Sequence, residues 1–196
     1  MIDKKALRPL VNLFHEVGHL SSLPRSGFAF LGSGEQSVAE HSYRMSVIAS
    51  ILAKTSDKDV DELRLLHICL FHDFHEARIG DHNYVQKRYL STDMPRVFSD
   101  IKKASPFGDF IVGCIEEFEE GESHEINLAH DADQLDLILL LKKEFDNGNK
   151  HAEQWYTTVK ERLVTEEGKS LGDTIWEVPF YDWWHSEYEE PPKKQC

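Results

Sequence analysis

The stretch Ile126-Asn127-Leu128-Ala129-His130-Asp131-Ala132-Asp133-Gln134-Leu135-Asp136-Leu137-Ile138-Leu139 joins a helical apolar stripe to four potential ligand side chains within seven residues. Ile126, Ala129, Ala132, Leu135 and Leu139 recur at steps of three and four, which places them on one face of a helix. Asp133 lies on the flank of that stripe. A carboxylate there is costly unless it is paired, hydrogen-bonded or bound to a metal. Asp131 and Asp136 point to other sides of the helix, where surface charges and partners standing behind a ligand are both open readings. His130 is at least a neighbour of the ligand position.

The same periodicity extends outward in both directions. Val38, Met45, Ile48 and Leu52 fit one helix face, as do Val60, Leu63, Leu66 and Leu70. Weaker stripes run from Leu7 to Val17, from Phe107 to Phe118 and from Trp155 to Leu163. Period-two alternation with β-branched residues is nearly absent, so the fold class is all-α. Pro24 and Gly27 end the first helical region, Gly32-Ser33-Gly34 makes a loop, Gly80-Asp81 closes the third helix, and Asp146-Asn147-Gly148-Asn149 closes the long one. The expected organisation is one helical domain over residues 1–170 with a C-terminal aromatic and acidic extension over 171–196. Trp176, Phe180, Tyr181, Trp183 and Trp184 in that extension pack on the domain or on a subunit partner, a homodimer being the expected assembly. The extension ends in Pro191-Pro192-Lys193-Lys194.

Charge removes some partners and leaves others. The chain of 196 residues carries 22 basic and 35 acidic side chains, a formal net charge of −13. A nucleic-acid polymer is an unsuitable partner, because sequence-independent binding relies on basic patches that displace phosphate counterions. A small phosphate ligand remains open, since bound divalent cations can reverse the sign of a site. No apolar run approaches the roughly 20 residues that span a bilayer. Met1-Ile2-Asp3-Lys4-Lys5 lacks the apolar stretch of a secretory signal. Cys69, Cys114 and Cys196 form no C-x-x-C pair. These features lead to the expectation of a cytoplasmic protein in a reducing setting.

Two further motifs carry chemistry. In Ser37-Val38-Ala39-Glu40-His41, Ser37 and Glu40 have capping-box spacing, which places His41 early in a helix. In Phe71-His72-Asp73-Phe74-His75-Glu76, an imidazole and a carboxylate stand side by side at the end of an apolar helix face. Several transition metals accept that mixed ligation. Glu76 lies one helical turn further on, in reach of the pair. A carboxylate near a metal but outside its ligand set can exchange protons with water.

Together these motifs resemble the H…HD…D signature of the HD-domain superfamily. More narrowly, Ser37 to Ser42, His72 to Asp81 and Ala132-Asp133-Gln134-Leu135 resemble the S-x-x-E-H, H-D-x-x-E-x-x-x-G-D and A-D-x-L motifs of its 5′-deoxynucleotidase branch. The resemblance runs from about Leu7 to about Leu163. It implies a helical HD-domain bundle in which His41, His72, Asp73 and Asp133 bind one divalent ion, such as manganese or cobalt, with iron, nickel, zinc and magnesium as similar candidates. It implies that Glu76 assists the attacking water, that Asp81 contacts the sugar hydroxyl, and that Arg25 contacts the phosphate. The family often has a tryptophan near this arginine that helps to exclude a ribose 2′-hydroxyl; Phe28 is the closest aromatic here, which makes it the substrate-binding candidate on the sugar side, and His82-Asn83-Tyr84 replaces a proline- or threonine-bearing segment. Base preference and the choice between deoxyribose and ribose are left open.

The expected activity is hydrolysis of (deoxy)nucleoside 5′-monophosphates, with Lys87 assisting Arg25 at the phosphate. Hydrolysis of a nucleoside triphosphate, cyclic nucleotide or alarmone keeps the same metal site and changes the substrate. A metal-stabilised module that binds nucleotide without turnover is the non-catalytic alternative.

Overall fold

The computed structural model describes residues 4–189; Met1-Ile2-Asp3, the Pro191-Pro192-Lys193-Lys194 run and Cys196 lie outside the described residues. Helix α1 (Lys4–His19) leads through a single 3-10 turn into an extended strap that carries Arg25. Then follow α2 (Phe28–Leu31), α3 (Val38–Thr55), α4 (Glu62–Phe71), α5 (Glu76–Ile79), α6 (Tyr84–Lys87), α7 (Met94–Ala104) and α8 (Gly108–Glu120). The chain continues through α9 (His124–Asp146), α10 (His151–Lys160), α11 (Glu166–Glu177) and α12 (Asp182–Glu189). Among the described residues there is no strand, only an isolated antiparallel bridge between Pro24 and Ser37. The all-α expectation holds. None of the described helices is long and apolar enough to cross a membrane.

Helix α9 is the central post. Ser123 caps it by accepting from the Ile126 amide, and Ile126, Leu128, Ala129, Ala132, Leu135, Ile138 and Leu141 are fully buried along it. Burial of several sides at once follows from its surroundings, because α3, α4, α10 and α11 all pack against it. Each of the larger side chains contributes about 1.5–3 kcal/mol by leaving water. A second apolar cluster, including Leu20, Val38, Phe74, Ile101, Ile111 and Ile115, lies under the other side of the site.

Helix α4 departs from the periodicity reading. Leu63 and Leu70 are 64% and 45% exposed, and the buried face is Leu65, Ile68 and Cys69. The sequence offers apolar residues on both faces of this helix, so spacing alone did not choose between them. The face that packs continues from Leu65 through Ile68 and Cys69 to His72, a step pattern that carries the imidazole inward.

The helix also ends earlier than its sequence suggests. His72-Asp73 does not lie within a helix: α4 stops at Phe71, and His72 to His75 form tight turns. Phe74 and Glu76 donate their amides to the Phe71 and Asp73 carbonyls, three residues back. Phe74, buried in the second cluster, pins the turn. Gly80 then closes the short α5 with φ 83°, a left-handed backbone that glycine adopts without steric cost.

Asp131 is a buried structural anchor rather than a surface charge. Its carboxylate accepts from the Val164 and Thr165 amides at 2.7 and 2.8 Å and from the Thr165 hydroxyl. Thr165 in turn caps α11, accepting from the Gly168 amide. That helix carries Trp176 onto the domain, where its ring stacks on Tyr156 at 4.0 Å between centroids and lies 5.1 Å from Phe145. Lys142 sits over Phe145 and Trp176 while pairing with Asp146, whose other oxygen accepts from the Phe180 amide. Trp183, by contrast, is exposed.

Replacing Asp131 by Asn turns one acceptor into a donor against two amides, an exchange that costs about 2 kcal/mol. We expect Asp131→Asn to lower the midpoint of thermal unfolding by about 5 °C. An unchanged midpoint in differential scanning calorimetry would show that the anchor contributes nothing.

Candidate active site and metal centre

Three parts of the chain deliver the site: the strap with Arg25, the start of α3 with His41, and the turn after α4 with His72 and Asp73. Helix α9 adds Asp133 and Asp136. The strap is fixed to α3 by the Arg25 amide donating to the Gln36 carbonyl at 2.8 Å and the Val38 amide donating to the Leu23 carbonyl at 2.9 Å. The capping box is complete, with the Glu40 amide donating to Ser37 Oγ at 3.2 Å and the Ser37 amide to Glu40 Oε2 at 2.6 Å. It starts α3 one turn ahead of a fully buried His41.

Both histidines are tied down at one nitrogen. His41 Nδ1 donates to Asp136 Oδ2 at 2.7 Å, and His72 Nδ1 donates to the Cys69 carbonyl at 3.0 Å. A carboxylate and a carbonyl only accept, so both protons sit on Nδ1 and both Nε2 atoms are left to act at the centre. The carbonyl comes from the last turn of α4, where helical carbonyls lack amide partners. The two Nε2 atoms are 3.3 Å apart. Asp73 Oδ2 stands 3.1 Å from His72 Nε2 and 3.7 Å from His41 Nε2, and Asp133 Oδ1 stands 3.2 Å from His41 Nε2.

Two ring lone pairs and two carboxylate oxygens converging this closely repel one another unless a positive charge lies between them. His41, His72 and Asp73 each bring a ligand atom within 4.8 Å of the others, a group able to hold a metal ion. Asp133 adjoins this group through His41. Its second oxygen accepts from the Gln134 side-chain Nε2 at 2.7 Å.

Without an ion, a proton takes the central place. Burial and Arg25 work against charge on His41, but hydrogen bonds to Asp133 and Asp136 outweigh them and raise its pKa to about 9. Burial likewise opposes charge on Asp73, while His72, Arg25 and His41 hold it well below the ordinary carboxylate range. Asp133 is lowered to about 2 against its own burial by His41, Arg25 and His72. Arg25 donates from Nη1 to Asp73 Oδ2 at 2.9 Å and lies 3.9 Å from Asp133 through Nη2. The surrounding Asp73, Asp133, Asp81 and Glu76 more than offset its burial and keep it charged.

Glu76 behaves differently from its neighbours. It is buried, and its Oε2 has no hydrogen-bond partner. Desolvation, then the nearby charges of Asp73 and Asp81, raise it to about 9, with Arg25 and Lys87 opposing. A buried polar atom without a partner is costly, and such atoms commonly meet a ligand or water. Ser26 Oγ is a second one. The Ser26 amide donates to Asp81 Oδ2 at 2.7 Å, which joins the strap to the segment after α5. Lys87 is exposed at the end of α6, and its charge reaches Glu76.

A profile of the HD domain matches residues 17–175. The chain belongs to the HD-domain family. It is therefore a metal-dependent phosphohydrolase, and HD domains bind a divalent ion. This HD-domain chain is 26% identical to the 5′-deoxynucleotidase HDDC2 of Mus musculus over 147 residues, which is 72% of each chain. Among solved structures it resembles the PH0347 protein of Pyrococcus horikoshii OT3, with TM-score 0.71 and 24% identity over 85% of this chain and 98% of that one. It also resembles the HD phosphohydrolase DatZ of cyanophage S-2L, solved with dA and one catalytic zinc ion, with TM-score 0.54 and 16% identity over 86% of this chain and 96% of that one. The structural likenesses establish the fold.

The sequence motifs brought His41, His72, Asp73 and Asp133 together, with Arg25, Glu76 and Asp81 around them. Phe28 stands elsewhere: it is 7% exposed and packs in the main apolar core with Leu31 and Met45. Asp136 proves to be a buried partner of His41 rather than a surface charge. It also accepts from Gln36 Nε2 at 2.9 Å and from Arg44. Gln36, Arg44 and Ser26 escaped the sequence reading altogether. The available signal was Asp136 itself, a carboxylate next to Leu135 one turn beyond Asp133.

The titrations set the pH behaviour of the metal-free protein. His41 is raised from 6.5 to about 9 and Glu76 from 4.5 to about 9, so the fold favours the protonated form of each. Stability from the Glu76 proton is fully present below about pH 4.5 and that from the His41 proton below about pH 6.5, and both are lost as pH rises through 9. We expect the chelated protein to lose several kcal/mol of stability, and its unfolding midpoint to fall, as pH rises from 6.5 to 9. Glu76→Gln should flatten that slope; an equally steep slope in the variant would contradict the assignment.

Proposed function

We propose that this chain hydrolyses (deoxy)nucleoside 5′-monophosphates to nucleoside and phosphate. The observation that carries the reading is the convergence of two Nδ1-anchored imidazoles and two ionised aspartates on one point, beside a charged arginine and a protonated glutamic acid. The match to curated 5′-deoxynucleotidases and the nucleoside held by the cyanophage structure support the choice of substrate class.

His41, His72, Asp73 and Asp133 are the residues that would hold the ion, and manganese or cobalt suits their nitrogen and oxygen donors. When bound, a divalent ion supplies Lewis-acid polarisation of the phosphoryl group and lowers the pKa of water. Arg25 presents its fork to the phosphate while Asp73 holds one side of the guanidinium in place. Lys87 adds positive charge from α6. Glu76 holds a proton near neutral pH, at an oxygen with no protein partner, gives it to the leaving 5′-oxygen and recovers one from the water that adds to phosphorus. Asp81 uses one oxygen to fix the Ser26 amide and offers the other to a sugar hydroxyl.

Phosphate release from paired deoxy and ribo 5′-monophosphates, with a deoxynucleoside triphosphate and a cyclic nucleotide alongside, tests this. We expect turnover of monophosphates only, and Glu76→Gln to lose about 10²–10⁴-fold in kcat while still binding manganese. Pyrophosphate or triphosphate release would move the protein to another HD-type reaction. Metal binding with no turnover of any substrate would leave a nucleotide-binding module.

A further inference from the structure

Phe30 and Tyr84 are large aromatic side chains, 55% and 69% exposed, yet they meet each other at 6.0 Å between ring centroids, tilted by 55°. Apolar rings left in water carry a cost that packing inward would remove. These two come from the segments already joined at the site by the Ser26 amide and Asp81. Phe30 lies on α2, about one helical turn of 5.4 Å beyond the Ser26-Gly27 turn. Tyr84 is the first residue of α6, three positions after Asp81. Asn83 fixes its backbone by accepting from the Val85 and Gln86 amides, and the Gln86 side chain accepts from the Asn83 amide. The same two segments therefore present a polar bridge at Ser26 and Asp81, and an aromatic bridge one step further out. Ser26 Oγ, buried and unpartnered, lies on the strap between Arg25 and the aromatic bridge.

We propose that Phe30 and Tyr84 form the base-binding element of the site, offering their faces to the nucleobase of a nucleotide whose phosphate lies at Arg25. The inference rests on the nucleotide substrate class proposed above. The order along both segments matches that of a nucleotide: charge at Arg25, polar groups at Ser26 and Asp81, aromatic faces at Phe30 and Tyr84. Every base has a π-face, so stacking of this kind tolerates all four bases. An element of this type reads the presence of a base and is largely blind to its identity. Phe28, packed in the core, leaves Phe30 as the exposed aromatic of α2.

The test compares manganese-loaded wild type with Phe30→Ala, Tyr84→Ala and the ring-conserving pair Phe30→Tyr and Tyr84→Phe. Substrates are deoxyadenosine 5′-monophosphate and 2-deoxyribose 5-phosphate, which lacks the base. Each alanine variant should raise KM for the nucleotide about tenfold with little change in kcat, as expected from the loss of one stacking face. The preference for nucleotide over sugar phosphate should fall by the same factor, and the ring-conserving variants should restore it. Equal losses on both substrates would overturn the proposal in favour of a bridge that only holds the two segments together.

Calorimetric binding of deoxyadenosine 5′-monophosphate to the same proteins separates the two claims. If wild type hydrolyses no monophosphate but binds it, and the alanine variants bind about tenfold more weakly, the aromatic element stands and the activity reading fails. Undiminished binding in the alanine variants, or no binding by wild type, overturns the aromatic element.

Discussion

His41 and His72 are each held at Nδ1, one by Asp136 and the other by the Cys69 carbonyl, so both must present Nε2 to the same point 3.3 Å apart. Much else about the site follows from that constraint. Two lone pairs and the oxygens of Asp73 and Asp133 cannot share this space without a cation, whether a proton, a metal ion or the guanidinium of Arg25 nearby. The fold sustains the arrangement because α9 supplies Asp136 from a helix packed on several sides, and the well-packed face of α4 continues into His72. Unpaired charge of this density would destabilise a less supported interior.

The helical class and the central α9 were legible because apolar residues at three- and four-residue steps admit few other structures. The metal-binding candidates were legible because Ser37-to-His41, His72-to-Glu76 and Ala132-to-Leu135 are local motifs. What spacing did not reveal was long-range. Asp136 is tied to Gln36, 100 positions away, and to Arg44, 92 positions away, and its place beside Leu135 hints at burial without naming either partner. Helix α4 carries leucines on two faces, and the packing of α3, α8 and α9 decides that Leu65 and Ile68 turn inward while Leu63 and Leu70 face water. The break after Phe71 is equally hidden, since Phe71-His72-Asp73-Phe74 contains no glycine or proline. Phe28, expected near the sugar, is drawn into the core by Leu31 and Met45.

Glu76 illustrates why environment, more than residue type, decides a chemical role. Asp73 and Glu76 stand three residues apart on one turn, yet their titrations diverge. Asp73 has His72, Arg25 and His41 to hold its charge; Glu76 has burial and two carboxylates against its own. One is poised to bind cations and the other to carry a proton. Pairs of carboxylates pushed apart in this way are a recurrent means of dividing acid and ligand roles within a site.

Calorimetric titration of manganese into the metal-free protein, in buffers of differing ionisation enthalpy, tests the central claim most directly. At pH 7 the proton that His41 holds with its pKa of about 9 must leave before Nε2 can bind an ion, while Asp73 and Asp133 are already ionised. The account predicts one ion per chain and release of about one proton, with both lost in His72→Ala. Uptake that releases no proton, or that survives unchanged in His72→Ala, would contradict a centre built on the two facing imidazoles.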